Sequence, residues 1–136
     1  VLSDLDYSEI GVHDWYVYAL ARSIGLTWVI GEEPTLEYRQ HGGNVQGANS
    51  GSGARDARMA KLRNGFYRKQ FILTARAAQK IGSFDERRAR QLRAILGELE
   101  GQGAASRLRF ALRWRQIRRD PVEGLKLAAA RVLGVW

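Results

Sequence analysis

The segment GGNVQGANSGSG, residues 42–53, divides the chain into two parts that differ in composition. It contains five glycines and no hydrophobic periodicity, which predicts a loop rather than a helix or a strand. Residues 1–50 hold two basic and seven acidic residues, a net charge of −5. Residues 51–136 hold 20 basic and seven acidic residues, a net charge of +13. We therefore predict two units, residues 1–50 and residues 51–136, with different partners.

Length and composition exclude several classes of protein. The 136 residues correspond to about one domain, and the 45% hydrophobic content is ordinary for a globular fold. The absence of cysteine excludes disulfides, thiolate metal sites and a cysteine nucleophile, and it fits a cytoplasmic location. No stretch approaches the roughly 20 apolar residues of a membrane-spanning helix. Because the first residue is Val1 and no signal-peptide pattern follows, we expect the sequence to begin inside a longer protein.

The first part combines one helix with two short strands. Residues 12–24 have helical periodicity, and Gly25 stands where a C-terminal cap is expected. Segments 26–30 and 35–39 are rich in β-branched and aromatic residues and are separated by a turn-like GEEP, so both are predicted strands. The apolar face of the helix consists of Val17, Leu20, Ala21 and Ile24.

The second part is predicted to be helical throughout. Apolar spacing indicates one long helix over about 55–80, with Gly65 as a weak point. Ser83 and Glu86 stand three residues apart as a capping box, and they open a helix that GQG, residues 101–103, ends. The apolar face of that helix consists of Leu92, Ile95, Leu96 and Leu99.

An arginine-rich helix and a final helix complete the pattern. Arginines lie nearly all round the helix predicted over residues 104–119. Asp120 and Pro121 have the residue types of a helix start. One apolar stripe of the last helix consists of Leu125, Ala128, Ala129, Val132, Leu133 and Trp136. The chain is therefore predicted to be mostly α with a small β component.

Asp14 and His41 are the residues whose types and positions suggest chemistry. Asp14 lies in the first turn of the predicted helix, where a carboxylate can face a cleft and accept a proton from a hydroxyl. It can equally be a first-turn acid that stabilises the helix. His41 can contact a divalent metal or phosphate oxygens, or it can be a loop histidine bonded to backbone.

Asp14 and His41 both lie in a stretch, residues 12–48, that resembles a known family of enzymes. The family is the bacterial family 2 glycosyltransferases of the rhamnosyltransferase-like kind, and the segment that carries the resemblance is HDWYVYALARSIGLTWVIGEEPTLEYRQHGGNVQGA. The resemblance is to the C-terminal portion of those enzymes and is close over this segment. An acid–tryptophan pair of the family falls on Asp14 and Trp15. The family's YRxH and N-x-x-G segments fall on Tyr38, Arg39, His41, Asn44 and Gly47.

The resemblance implies inverting transfer of a sugar from a nucleotide-sugar to a hydroxyl of a cell-surface polysaccharide or lipid-linked glycan. Asp14 would be the catalytic base. His41 would contact the metal or the diphosphate, and Arg39 would lie near the same phosphates. Arg39 can alternatively pair with a neighbouring glutamate of the first part.

Three further residues would bind substrate in this scheme. Trp15 would stack on a sugar ring, although a tryptophan at this place can equally be part of the core. His13 and Asn44 would contact substrate beside it. Residues 4–6, DLD, match a D-x-D metal motif literally but stand too close to Asp14, so we interpret them as a chance match.

The family's fold is an α/β nucleotide-sugar transferase fold whose N-terminal half binds the nucleotide and carries the D-x-D motif. That half is not part of this sequence, so residues 1–50 would be the acceptor side of the catalytic domain. The divalent cation, Mn or Mg, would be held mostly by the absent half. The 136 residues alone are therefore expected to be inactive.

Three interpretations compete for residues 54–136. Their apolar stripes can pack on the transferase domain or on a second copy, with the arginines solvated. They can contact the inner face of the cell membrane, with Phe110, Trp114 and Trp136 among the arginines. They can bind nucleic acid, although no base-reading motif is present. The alternative to a transferase is thus a non-enzymatic basic helical module that binds a membrane surface or nucleic acid.

Overall fold

The computed structural model describes residues 8–29, Gly31, Glu33, 52–117 and 120–136. This part of the chain is mostly helical and contains no strand. Among its helices, none combines the length and the hydropathy that crossing a bilayer requires. The helices are α1 (His13–Ser23), α2 (Ser52–Arg63), α3 (Phe66–Ile81), α4 (Glu86–Glu100), α5 (Ala104–Ala111), α6 (Trp114–Ile117) and α7 (Pro121–Val132).

The first helix ends as its sequence predicts. Gly25 has a φ of +87°, a left-handed conformation that suits glycine. The Gly25 N–H donates to the carbonyl of Arg22 at 3.2 Å, and the Leu26 N–H donates to the carbonyl of Ala21 at 2.9 Å. These two bonds form a Schellman motif, which satisfies carbonyls that the end of the helix would leave unpaired.

The first predicted strand, over 26–30, is not present in the described residues 26–29. These residues are exposed, and the ring of Trp28 contacts Tyr18 of α1 edge-on at 5.3 Å instead of facing a sheet. A strand needs a hydrogen-bonded partner, and the partner predicted over 35–39 lies outside the described residues. The two strands and the α/β fold are therefore not shown.

The prediction of one helix over 55–80 is wrong, because the chain breaks at the weak point. Gly65 adopts a φ of +75°, a left-handed conformation that separates the end of α2 from the start of α3. The Phe66 N–H donates to Oδ1 of Asn64 at 3.0 Å, so a side chain satisfies one of the free donors at the start of α3.

The capping box predicted for α4 is also wrong. The cap is Asp85, whose carboxylate accepts the Arg88 N–H at 2.8 Å. The Ser83 N–H instead donates to the carbonyl of Ser23 at 3.0 Å and fastens the end of α1 to the loop before α4. Asp85 stands directly before the first residue of α4, and its carboxylate bonds the N–H three residues further on, which is the geometry of a side-chain N-cap.

Helix α3 lies between two hydrophobic clusters and contributes to both. The first cluster joins α3 to α1 and α4, and its buried members are Ile10, Tyr16, Leu20, Ala77 and Ala78. The second joins α3 to α4, α5 and α7, and its buried members are Leu99, Phe110 and Trp136. The predicted apolar face of α4 is confirmed, since Leu96 and Leu99 are buried and Leu92 and Ile95 pack against the clusters.

A buried arginine connects α7 to the end of α4. Arg131 is 1% exposed, and its guanidinium donates to the carbonyls of Glu98 (3.1 Å), Leu99 (3.3 Å) and Gly101. It also donates to the Trp136 carbonyl at 3.0 Å. Burial, with Arg68 and Arg107 nearby, lowers the pKa of Arg131 from its usual range. The guanidinium therefore donates to three carbonyls at the C-terminal end of α4 that have no partner within the helix. Its positive charge also lies at the negative end of the α4 dipole.

We predict that Arg131→Met destabilises the fold by about 2 to 4 kcal/mol, because it leaves buried carbonyls without donors. The free energy of unfolding from urea titration followed by circular dichroism measures the loss. Arg109→Met is the matched control, since Arg109 is exposed on α5 and its substitution should cost less than about 0.5 kcal/mol. Equal losses in the two variants would contradict the assigned role of Arg131.

Candidate functional site

The residues before α1 are held on α3 by a buried glutamine. Gln70 is 3% exposed, and its Nε2 donates to the carbonyl of Glu9 at 3.0 Å. Its Oε1 accepts the Gly11 N–H at 2.8 Å. A Cβ on Gly11 would lie 2.7 Å from Cζ of Phe66, so a side chain at this position would have to displace the phenyl ring. One side chain on α3 thus fixes the backbone that leads into α1.

Apolar contacts and a second hydrogen bond complete the docking of α1. Ile10, Val12, Tyr16 and Leu20 are buried, which fixes the rotation of the helix about its axis. At the other end, the bond from the Ser83 N–H to the Ser23 carbonyl fixes its position along α3. The start of α1 is therefore placed by contacts at both ends of the helix.

Asp14 and His13 lie on the exposed side of this docked helix. Both are in the first turn, and Val12 at the N-cap position provides no side-chain hydrogen bond. Within the described residues Asp14 takes part in no ion pair, so its carboxylate faces solvent. An exposed carboxylate on a fixed backbone can accept a proton from a bound hydroxyl. This is what the predicted role of Asp14 requires, and the role itself stays a prediction.

Trp15 points along a different direction from Asp14 and packs on α3. Its ring stacks on Phe71 at 5.3 Å between centroids with an interplanar angle of 23°. It also contacts Tyr67 at 6.0 Å. Phe71 continues the contact to Trp136, edge-on at 6.0 Å. The half-buried Trp15 therefore joins α1 to an aromatic cluster, and stacking on a sugar would involve the part of the ring that α3 leaves open.

The remaining predicted site residues lie outside the described part of the chain. These are Tyr38, Arg39, His41 and Asn44, together with the D-x-D match at 4–6. Their distance from Asp14 is thus not given by the structure. Within the described ranges, no three His, Asp or Glu side chains come together in a way that would hold a metal ion.

A cavity of about 150 Å³ lies beyond Phe71, on the side of the second cluster. Its polar lining consists of Arg113 and Gln116. Arg113 forms a two-point ion pair with Glu98, at 2.6 and 2.9 Å, and this hydrogen bonding raises the pKa of Arg113. The mostly apolar wall and the neutralised cation make the cavity unsuited to a diphosphate. Its apolar lining residues are Phe71, Ile95, Leu99, Phe110 and Trp136.

The aromatic residues predicted to touch a membrane are not an exposed group. Phe110 and Trp136 are each 4% exposed and contact each other at 5.2 Å within the second cluster. Trp114 is half-buried, with the guanidinium of Arg115 4.9 Å from its ring centroid. Phe110 and Trp136 serve the fold, because burying their large rings stabilises a small domain. Phe110 and Trp136 are therefore not accessible to a membrane in the described structure, and contact of the basic helices with a membrane stays a prediction.

Gln70 and Arg131 were not identified from the sequence, although each leaves a signal there. Gln70 interrupts the apolar series Phe66, Leu73 and Ala77 at a position that helical spacing places on the same face. Arg131 follows Gly124 and Ala128 on the buried face of α7. A polar residue on an otherwise apolar or small-residue face indicates a buried hydrogen-bonding role.

Comparison with known proteins places this chain beside a sugar transferase. It is similar to dTDP-rhamnosyl transferase RfbG of Shigella flexneri, with 30% identity over 128 residues. The match covers 94% of this chain and 40% of the relative, so the chain spans less than half the length of the curated relative it matches. No family model and no solved structure matches the chain.

The match confirms the resemblance to a rhamnosyltransferase-like protein. It also extends that resemblance beyond residues 12–48. Because 128 of the 136 residues are matched, most of the basic helical part is shared with the relative. The helices of residues 51–136 are thus not an unrelated addition to the segment that carries Asp14.

We predict that Gln70→Leu frees the backbone before α1 and destabilises the fold by about 1 to 3 kcal/mol, since the Gly11 N–H and the Glu9 carbonyl lose their buried partner. Amide hydrogen exchange should become faster at Gly11 and through the first turn of α1. Gln79→Leu is the control, because Gln79 is exposed on the same helix. Unchanged protection at Gly11 in Gln70→Leu would refute the anchoring role.

Proposed function

We propose that this chain is the C-terminal, acceptor-side part of an inverting glycosyltransferase that uses a nucleotide-sugar donor. The observation that carries the proposal is the exposed Asp14 on a helix fixed to α3, in a chain similar to a rhamnosyl transferase. The relative's name supports a dTDP-activated deoxyhexose as the donor. The acceptor is a hydroxyl of a growing cell-surface glycan, and the reaction takes place in the cytoplasm.

In the proposed reaction, the Asp14 carboxylate accepts the proton of the acceptor hydroxyl. The acceptor oxygen forms a bond to the anomeric carbon of the donor, while the bond from that carbon to the diphosphate oxygen breaks. Attack opposite the leaving group inverts the configuration of the anomeric carbon. The electron pair of the broken bond leaves with the nucleoside diphosphate, and the proton stays on Asp14 until water removes it.

Other side chains bind the substrates in this proposal. His13, exposed beside Asp14, donates a hydrogen bond to the acceptor sugar. Trp15 holds the first turn of α1 on α3 and offers the uncovered part of its ring to a pyranose. Arg39 and Asn44 contact the diphosphate and the donor sugar.

A divalent cation, Mn or Mg, would neutralise charge on the departing diphosphate. The described residues do not fit such a cation by themselves, because no three potential ligands among them cluster. We assign it to a part of the enzyme that this chain does not provide, with His41 as its contact here. In this proposal the 136 residues alone do not transfer sugar, since the match covers 40% of the relative's length.

The proposal predicts that Asp14→Asn in the full-length protein lowers the transfer rate by about 10² to 10⁴-fold, because the general base is lost. Binding of the nucleotide-sugar should stay within about twofold, since this carboxylate contacts the acceptor. Rate and binding are measured with a dTDP-deoxyhexose and a glycan acceptor, by product chromatography and by calorimetry.

Asp56→Asn is the matched control, because Asp56 is an exposed aspartate on α2 and should leave both quantities unchanged. Near-normal transfer by Asp14→Asn would refute the assigned base. Absence of transfer by the wild-type full-length protein with every nucleotide-sugar tried would instead favour the non-enzymatic basic module.

A further inference from the structure

Arginines from α5 and α7 meet at the turn that follows α7. The guanidinium of Arg131, on α7, donates to the carbonyl of Trp136 in this turn at 3.0 Å. Gly134 lies in the same turn, and its N–H donates to the carbonyl of Arg131 at 3.2 Å. A Cβ on Gly134 would lie 2.7 Å from Nη1 of Arg107, so the side chain of Arg107 reaches this turn from α5. Two guanidinium groups are thus held at one short turn.

A third arginine approaches from α3. Arg68 stands three and four residues before Phe71 and Ile72, so helical spacing puts the three side chains on one face of α3. Phe71 and Ile72 pack in the second cluster, which α5 and α7 also form. After burial, the positive charges of Arg68 and Arg107 contribute to the lowered pKa of Arg131. We call these three residues, Arg68, Arg107 and Arg131, the arginine cluster.

The described residues supply no carboxylate to the arginine cluster. None of its three members takes part in an ion pair within these residues. The glutamates at the end of α4, where Arg131 bonds the backbone, have other partners. The carboxylate of Glu98 pairs with Arg113 at 2.6 Å, and that of Glu100 pairs with Arg76 at 2.7 Å. The end of the α4 dipole offsets only about half a unit charge, so the cluster keeps most of its positive charge.

Two donors of the cluster are buried without an acceptor. Nε of Arg107 and Nε of Arg131 have no hydrogen-bond partner among the residues that the structure describes. Buried donors are nearly always satisfied, and partly buried like charges repel one another unless an opposite charge lies between them. Arg68 and Arg107 are half-buried, so part of each side chain stays open to solvent. These features together are those of a place that takes an anion.

We propose that the arginine cluster binds a phosphate group, either the free ion or a phosphate monoester. Arg68 and Arg107 contact the phosphate oxygens, since the planar fork of a guanidinium matches that geometry. Arg131 adds positive charge from behind while its other donors bond the α4 backbone. A phosphate group carries a charge of roughly −1.5 to −2 and three acceptor oxygens, which suits several cations better than a single carboxylate does.

This site is distinct from the diphosphate contacts predicted for Arg39 and His41. It lies at the junction of α3, α5 and α7, and none of its members is a residue that the proposed transfer reaction uses. The site therefore stands or falls independently of the proposed function.

The test is calorimetric titration of the 136-residue chain with inorganic phosphate at constant ionic strength. We expect saturable binding with a Kd on the order of 1 mM or tighter. Arg107→Gln and Arg68→Gln should each weaken binding about tenfold or more, because each removes a charged donor. Methyl phosphate titrated in parallel tells whether the site takes an ester as well as the free ion.

Arg109→Gln is the matched control, since it removes the same charge from an exposed position on α5. It should bind phosphate within about twofold of the wild type. Without phosphate, Arg107→Gln should not unfold at a lower temperature than the wild type, because it removes a like charge beside Arg131. A merely structural role of Arg107 would instead lower that temperature and leave phosphate binding intact.

Three results would overturn the proposal. They are absence of saturable phosphate binding by the wild type, equal weakening in Arg109→Gln, and unchanged affinity in both Arg107→Gln and Arg68→Gln. The same titration of the full-length protein should show a binding step that Arg107→Gln removes. Absence of that step would mean that a group from the rest of the protein already neutralises the arginines, which also contradicts a phosphate site.

Discussion

The docking of α1 on α3 is the interaction on which the candidate site depends. Helix α3 carries apolar side chains on one side for α1 and α4, and on another for α5 and α7. Because both clusters share this helix, a shift of α3 in one cluster would disturb the other. Asp14 is therefore positioned by the packing of the basic helices as well as by its own helix α1. This holds although residues 1–50 are net acidic and residues 51–136 are net basic.

Two buried polar side chains give this packing its specificity. Gln70 bonds the backbone before α1, and Arg131 bonds the backbone at the end of α4. Each satisfies backbone groups that would otherwise be buried without partners, so alternative packings of the same helices would lose these bonds. The apolar contacts set how much surface is buried, whereas these two residues select one arrangement.

Local signals of the sequence were reliable where a single residue determines the outcome. Gly25 ends α1, and Asp120 caps α7 by accepting the N–H groups of Val122 and Glu123, as the sequence predicts. Two local predictions failed: Gly65 broke a periodic helix, and Asp85 rather than Ser83 caps α4. Burial of Gln70 and Arg131 depends on partners 30 to 61 residues away, which no local pattern reveals.

The candidate site was predictable only where local sequence determines the structure. The position of Asp14 in a first turn follows from helical spacing, and the resemblance to a transferase rests on short motifs. The packing of Trp15 on Phe71 depends on how α1 meets α3, so its sequence left core and ligand roles equally open. The role of His41 depends on a segment outside the described residues.

The central claim is that Asp14 and His41 serve one site, and a distance measurement tests it most directly. The chain has no cysteine, so Asp14→Cys/His41→Cys carries only two thiols, and a short bismaleimide reports their proximity. The matched pair is Arg22→Cys/His41→Cys, because Arg22 lies about 12 Å further along α1. We predict efficient intramolecular cross-linking for the first pair and little for the second. Preferential cross-linking of position 41 to position 22, or none to position 14, would contradict the account.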